Sequence, residues 1–238
     1  ASIPQTQRTP VSLSFSASGA RDSFDQNILL VRGDLIMGTG AVIRTDPKAS
    51  VSLTGDTVSV KGSIYAPAGH ISVTGGSSSY LLFNSPDQAL PTVELDAGSV
   101  LSAAGTTFAQ FTPSTNGTRK GSAVPGGPQT RGYLVGDVLD GGTIAVTGNI
   151  VAKTGSVLDV SGATDVLDKL PAYSANGTSF TQAAVSSRPV ATRMDSSGGT
   201  ITLSGKEEMF ADATLLGGAG GSQGTGGSLV VSSGKFVP

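Results

Sequence analysis

The sequence predicts an all-β fold, a parallel β-helix with three short strands per turn, and three observations carry this. The first is the stretch GGTIAVTGNIVAKTGSVLDVSG from Gly141 to Gly162. It holds three apolar strands, Ile144–Val146, Ile150–Ala152 and Val157–Val160, separated only by short Gly-containing corners. Such strands are too short for hairpin arms, and the corners leave no room for a helix. The second is rhythm. Strands start at Val51, Val58, Ile64 and Ile71, so three steps bring Val51 and Leu53 over Ile71 and Val73, one turn later. The third is repetition. Thr57, Val58, Val60, Gly62, Ile64, Ala66, Gly69 and Ile71 match Thr143, Ile144, Val146, Gly148, Ile150, Ala152, Gly155 and Val157 at one constant offset. A weaker copy spans Gly198–Gly205 and a truncated one Gly226–Gly234. Repetition at this scale marks a stacked solenoid, in which no single repeat buries its own apolar face.

Composition agrees. Of 238 residues 34 are Gly, whereas only 5% are aromatic and 37% hydrophobic. Few large side chains suit a thin, evenly packed core, and a chain that bends after every short strand uses Gly for positive φ. The uniform rhythm argues for one domain over 1–238. A net charge of −2 gives no electrostatic case for nucleic acid or an anionic membrane. Cys is absent, which excludes disulfides and zinc–thiolate sites. The longest purely aliphatic run, Ile28–Val31, is far too short to span a bilayer. With no initial Met and no signal-type opening, the chain reads as a mature or excised segment.

In chain order, residues 1–10 are polar and extended. Val11, Leu13, Phe15 and Ala17 alternate with serines, the period of a half-buried strand. The run ILLVRGDLIMG is split by a corner at Gly33-Asp34, and from Ala41 to Val73 the three-strand rhythm is regular. Three segments leave it, at 77–92, 106–140 and 164–197. They read as excursions across the flank of the stack, anchored by the apolar clusters at 80–83 and 166–170, with a strand at Tyr133–Val138. Lys206–Ala213 has the composition for a single helical turn.

The phrases RGDLIMGTGAVIRTDPKASVSLTG, GSIYAPAGHISVTGG, GNIVAKTGSVLDVSGATDVLD and GGTITLSGKEEMFADATLLGG resemble interior segments of filamentous haemagglutinin-like exoproteins of the two-partner secretion family. The resemblance covers roughly residues 28–76 and 141–234. It implies a right-handed parallel β-helix, in keeping with the general hand of parallel crossovers. It also implies Gram-negative export through an outer-membrane secretion partner, and a role in adhesion or surface filaments. Nothing resembles the family's amino-terminal secretion domain.

Chemistry-bearing residues are sparse. His70 stands alone at a corner, and no Ser or Asp lies beside it at a spacing known for catalysis. One histidine cannot make a multi-histidine metal site. The carboxylates of Asp159, Asp165 and Asp168, of Asp137 and Asp140, and of Glu207, Glu208 and Asp212 are the candidates for glycosidase chemistry, which needs two at a set separation. None recurs at one position on successive turns with basic companions. The Gly217–Gly227 stretch lacks the Lys-Ser/Thr ending of a phosphate loop and the Asp of calcium-binding glycine repeats, and reads as corner glycine. Asn116-Gly117-Thr118 and Asn176-Gly177-Thr178 match a glycosylation acceptor, although Asn-Gly is also a common turn. Arg32-Gly33-Asp34 is the one adhesion motif, set against the plainer reading of a tight corner between strands.

The expectation is a non-enzymatic rod, secreted or on the cell surface, without cofactor or metal. It displays its excursions for adhesion to a host or sister-cell receptor or glycan, with end-to-end self-association as a further partner. The rivals are a polysaccharide-degrading β-helix enzyme or tailspike, and an autotransporter passenger domain.

Overall fold

The computed structural model describes residues 8–25, 29–83, 89–112, 133–169 and 190–234. It is all-β: 55% of the structure is strand, and the single helix among the described residues has five residues. In chain order the strands are β1 (Leu13–Ala17), β2 (Ala20–Arg21), β3 (Leu29–Val31), β4 (Asp34–Met37) and β5 (Val42–Arg44). Then come β6 (Ser50–Gly55), β7 (Thr57–Val60), β8 (Ser63–Tyr65) and β9 (His70–Thr74). Helix α1 (Ser79–Phe83) precedes β10 (Val93–Leu95), β11 (Val100–Ser102), β12 (Thr106–Thr112) and β13 (Tyr133–Leu139). The chain continues through β14 (Thr143–Ala152), β15 (Val157–Asp159), β16 (Thr164–Lys169) and β17 (Val190–Asp195). It closes with β18 (Thr200–Ala211), β19 (Thr214–Leu216) and β20 (Ser228–Ser232).

These strands form three parallel runs. In the first, β1, β6, β9, the front half of β14, the front half of β18 and β20 lie side by side. In the second, β4, β7, β10 and the back halves of β14 and β18 do so. The third is a separate five-stranded sheet of β5, β8, β11, β15 and β19. Because β14 and β18 pass through both the first and second runs, those two join in one nine-stranded sheet that is nearly closed. The 20-residue step from Val51 to Ile71 and from Leu53 to Val73 is present as the spacing predicts.

Register lines up like residues. Leu13, Val51, Ile71, Ile144, Ile201 and Leu229 form one ladder, and Phe15, Leu53, Val73, Val146, Leu203 and Val231 the next. Val58, Val93 and Ile150 continue the core on the second run, and Ile64, Leu101 and Leu158 on the third. The inner members of these ladders are fully buried. Side chains alternate across each strand, so only every second residue must be apolar, which is why so small a hydrophobic fraction suffices.

Two expectations need correction, and two arrangements go beyond what the sequence predicts. Ile144–Val146 and Ile150–Ala152 are not separate strands but one, β14, bent at Gly148 (φ +138°). The matches at constant offset do not stack. Ile144 lies beside Ile71 on the first run, whereas its sequence match Val58 lies on the second. Each short apolar strand followed by a Gly corner resembles every other, so similarity alone does not say which run a strand joins. The later copies, by contrast, are in register, with Thr143 beside Thr200 and Thr200 beside Ser228. Lys206–Ala213 is not helical: Met209–Ala211 pair with Ile150–Ala152, and the open edge of β14 prevails over local preference. Lastly, the excursions at 106–140 and 164–197 start and finish in paired strands. β12 pairs antiparallel with β13, and β16 with β17. Sequence reading had found only the strand beginning at Tyr133.

Candidate functional site

The antiparallel arms β12–β13 and β16–β17 leave the runs and so are the first candidates for contact with something else. They are not independent. The backbone N–H of Leu134 on β13 donates to the Asp168 carboxylate at 2.8 Å, and Thr107 on β12 donates to Asp165 at 2.7 Å. Lys169 reaches the Gly136 carbonyl at 2.6 Å and the Asp137 carboxylate at 2.8 Å. Leu167 is fully buried, while its neighbour Val166 is exposed. At the root, the Ser196 hydroxyl donates to Leu139 O and accepts from Ala163 N–H. The two arms are thus tied to each other and to the stack. The anchor expected at 166–170 is Leu167, and that at 80–83 is Leu82, which is buried and packs over Gly76.

Arg32-Gly33-Asp34 bridges β3 and β4, as a corner should. Its two charged groups face each other: Arg32 Nε donates to Asp34 Oδ1 at 2.5 Å and a terminal guanidinium nitrogen to Oδ2 at 2.9 Å. The guanidinium also stacks over the Phe83 ring, 4.7 Å from its centroid, and Asp34 accepts from Thr57 at 2.6 Å. The Arg32 pairing holds the Asp34 carboxyl below its usual range. Gly33 N–H donates to the Asp56 carboxylate at 2.8 Å, and Gly33 O accepts from Asp56 N–H. The Arg32 and Asp34 side chains and the Gly33 backbone N–H and carbonyl are thus each engaged within the molecule.

His70 begins β9, is exposed and shares a hydrogen bond with the Thr143 hydroxyl on the neighbouring strand. The carboxylate candidates are scattered. Asp159 accepts from Ser161 N–H, Asp140 from Ser197 N–H and Asp212 from Thr154. Glu207 and Asn149 exchange two hydrogen bonds of 2.9 Å, from Asn149 Nδ2 to Glu207 Oε2 and from Glu207 N–H to Asn149 Oδ1. The buried Oε2 of Glu208 has no hydrogen-bond partner among the described residues. Among those residues no three His, Cys, Asp or Glu side chains are placed to hold a metal, and no helix is long and apolar enough to cross a membrane. The Gly217–Gly227 stretch lies against the stack: a Cβ on Gly220 would stand 1.9 Å from Ala163 O. Its corner role rests on that close approach. Both Asn-Gly-Thr sequences fall outside the described residues.

One surface escaped the sequence reading. The outward positions of the first run are Ser12, Ser14 and Ser16, then Ser50, Ser52 and Thr54, then His70, Ser72 and Thr74. They continue as Thr143, Ala145 and Thr147, then Thr200, Thr202 and Ser204, then Ser228, Val230 and Ser232. All of these positions but His70, Ala145 and Val230 carry a hydroxyl, and none is Asp, Glu, Lys or Arg. The alternating serines of β1 were the only visible sign of this face, because the columns exist only once the register is known. The other runs carry charge instead: Lys153 on the second bridges Glu94 at 2.6 Å and Asp96 at 3.0 Å. No family model, curated protein or solved structure matches the chain.

Proposed function

We propose that the three runs are the faces of a right-handed parallel β-helix, and that the chain is a non-enzymatic structural segment of a bacterial adhesin or surface filament. The observation that carries this is the unbroken stacking of apolar ladders through five or six successive parallel strands, with the chain passing from run to run in a fixed order. A three-faced stack of this kind is stiff along its axis and places whatever leaves it at defined heights. The right hand follows from the general rule for parallel crossovers. The resemblance to filamentous haemagglutinin-like exoproteins supports export through an outer-membrane partner and a place outside the cell. Absence of Cys is compatible with that route. The joined arms, not the internally paired Arg32-Gly33-Asp34, are the surface that meets a receptor or glycan.

The test is the native size and location of the polypeptide that carries this segment, read with an antibody on fractionated cells. A very large species at the cell surface or in the medium is expected. A free species of the size of this chain in the cytosol sinks the proposal. For the adhesive surface, Asp34→Glu should leave cell binding by the immobilised chain unchanged. Loss of binding in that variant returns the tripeptide to the centre of the account.

A further inference from the structure

Both arms leave the stack at one corner, where the chain passes from the third run to the first. Between β8 and β9 that crossing takes only residues 66–69. One turn later it carries β12–β13, between β11 and β14, and in the next turn β16–β17, between β15 and β18. The crossing after that, from β19 to β20, is the glycine-rich stretch 217–227. It forms no arm of its own and lies instead across the root of β16–β17.

The stretch grips both legs of that arm. On the incoming leg, Gly162 N–H donates to Gly218 O at 2.8 Å. On the outgoing leg, Gly220 N–H donates to Ser196 O at 2.8 Å, Gln223 N–H to the Asp195 carboxylate at 3.3 Å and Thr225 N–H to the Ser197 hydroxyl at 3.1 Å. Asp195 also accepts from Thr164 across the hairpin, so one carboxylate serves the stretch and both legs. The same residues hold the other arm: Ser197 N–H donates to Asp140 at 2.7 Å, and Gly141 N–H to Ser197 O at 2.9 Å. Glycine permits this contact. A Cβ on Gly220 would stand 1.9 Å from Ala163 O and one on Gly224 2.2 Å from Ser196 O, whereas nothing lies within 4 Å of one on Gly218. Two-stranded ribbons are marginal by themselves, so the arms need support beyond their own pairing. We propose that 217–227 is a strap that sets the pose of both arms. Docked, it holds them against the stack; released, it lets them move while the three runs stay folded. Its consequence for adhesion rests on the arms being the contact surface, since a loosened surface must be ordered again on binding. The strap itself does not depend on that reading and is testable without a ligand.

Amide hydrogen exchange of the chain and three variants tests the strap. Gly220→Val should free it, read as fast exchange at residues 220, 223 and 225. The same variant should speed exchange in β13, β16 and β17 by about tenfold, with β9 and β14 unchanged. Gly218→Val, in the same strap but in open space, should change none of these. Ser197→Ala removes the bonds from Thr225 without any collision. It should move the same amides in the same direction by a smaller factor, and it serves alone should Gly220→Val not fold. Arms that keep their protection after the strap is freed overturn the proposal. So does a strap that stays docked in Gly220→Val, because the close approach would then not require glycine. Equal acceleration of β9 and β14 in Ser197→Ala overturns it too, since the strap would then support the stack and not the arms.

Discussion

Gly98 and Gly155 occupy the same corner in successive strand sets, with φ of +82° and +87°, and Gly40 repeats it at +78°. Each is the third residue of a turn closed by a backbone bond, as from Ser99 N–H to Asp96 O at 3.0 Å. An L-residue there costs about 1–2 kcal/mol for the left-handed conformation alone. Nothing lies within 4 Å of a Cβ placed on Gly98. Gly98→Ala should therefore lower unfolding stability by about that much and no more. Gly142→Ala is different, because its Cβ would stand 1.9 Å from Gly69 O. It should be far more damaging, and chemical denaturation of the two variants side by side separates conformational cost from collision. Asn149 is fully buried and serves Leu90 O, Glu207 Oε2 and Glu207 N–H. Its side chain holds the bulge where the β14–β18 register shifts. Asn149→Ala removes these hydrogen bonds, each worth about 0.5–1.5 kcal/mol net, and a drop in the denaturation midpoint should report it. Asp195 accepts from the Thr164 hydroxyl, Arg193 and Gln223 N–H, and these bonds, the Thr164 bond first, hold its carboxyl below the ordinary range. The unfolded chain then takes up a proton at higher pH than the folded one. The stabilisation is present at neutral pH and is lost as pH falls from about 4 through the lowered folded value. Urea midpoints measured across that window should fall, and Asp195→Asn should reduce the fall.

At the scale of the element, strand existence was legible and strand membership was not. Val51–Leu53, Val58–Val60, Ile64–Ala66 and Ile71–Val73 all announce themselves by alternation between Gly corners; three lie within a strand, and Ile64–Ala66 overlaps one. Nothing in those residues distinguishes a first-run from a second-run strand, and the sequence match of Val58 to Ile144 joins residues of different runs. Side-chain ladders outside the core add information of another kind. Lys61, Asp96, Lys153 and Asp212 follow the last paired residue of the second-run strands β7, β10, β14 and β18, so their charges alternate along the axis. The core itself depends on third-run residues such as Leu158, fully buried between Leu101 and Leu215. Leu158→Ala should cost about 2–5 kcal/mol, as cavity-forming changes in close-packed interiors do. A loss below 1 kcal/mol in a denaturation experiment would mean that the third sheet is not packed as described. Among candidate sites, the tripeptide at Arg32 was readable as a motif. The closure of Arg32 onto Asp34 and the contacts with Thr57 and Phe83 were not, since Thr57 and Phe83 come from distant parts of the chain.

For the whole molecule, stacking makes stability a sum of neighbour contacts and leaves the two ends least supported. Amide hydrogen exchange should accordingly be slowest in β9 and β14, which are paired on both sides, and fastest in β1 and β20. Uniform protection along the stack would contradict this order. The sequence by itself determined that the chain is all-β with short strands between Gly corners, and the 20-residue step between Val51 and Ile71. Both follow from local alternation, Gly corners and composition. Tertiary structure alone decided which strands lie together, that β14 and β18 bend through two runs, and that the arms are tied into one unit. It alone revealed that one face is a grid of hydroxyls. The physical reason is that parallel pairing joins residues 20 to 73 positions apart, as Val51 to Ile71 and Ile71 to Ile144. Strands of nearly identical pattern compete for each place, and only the packing of the assembled core and its excursions selects among them.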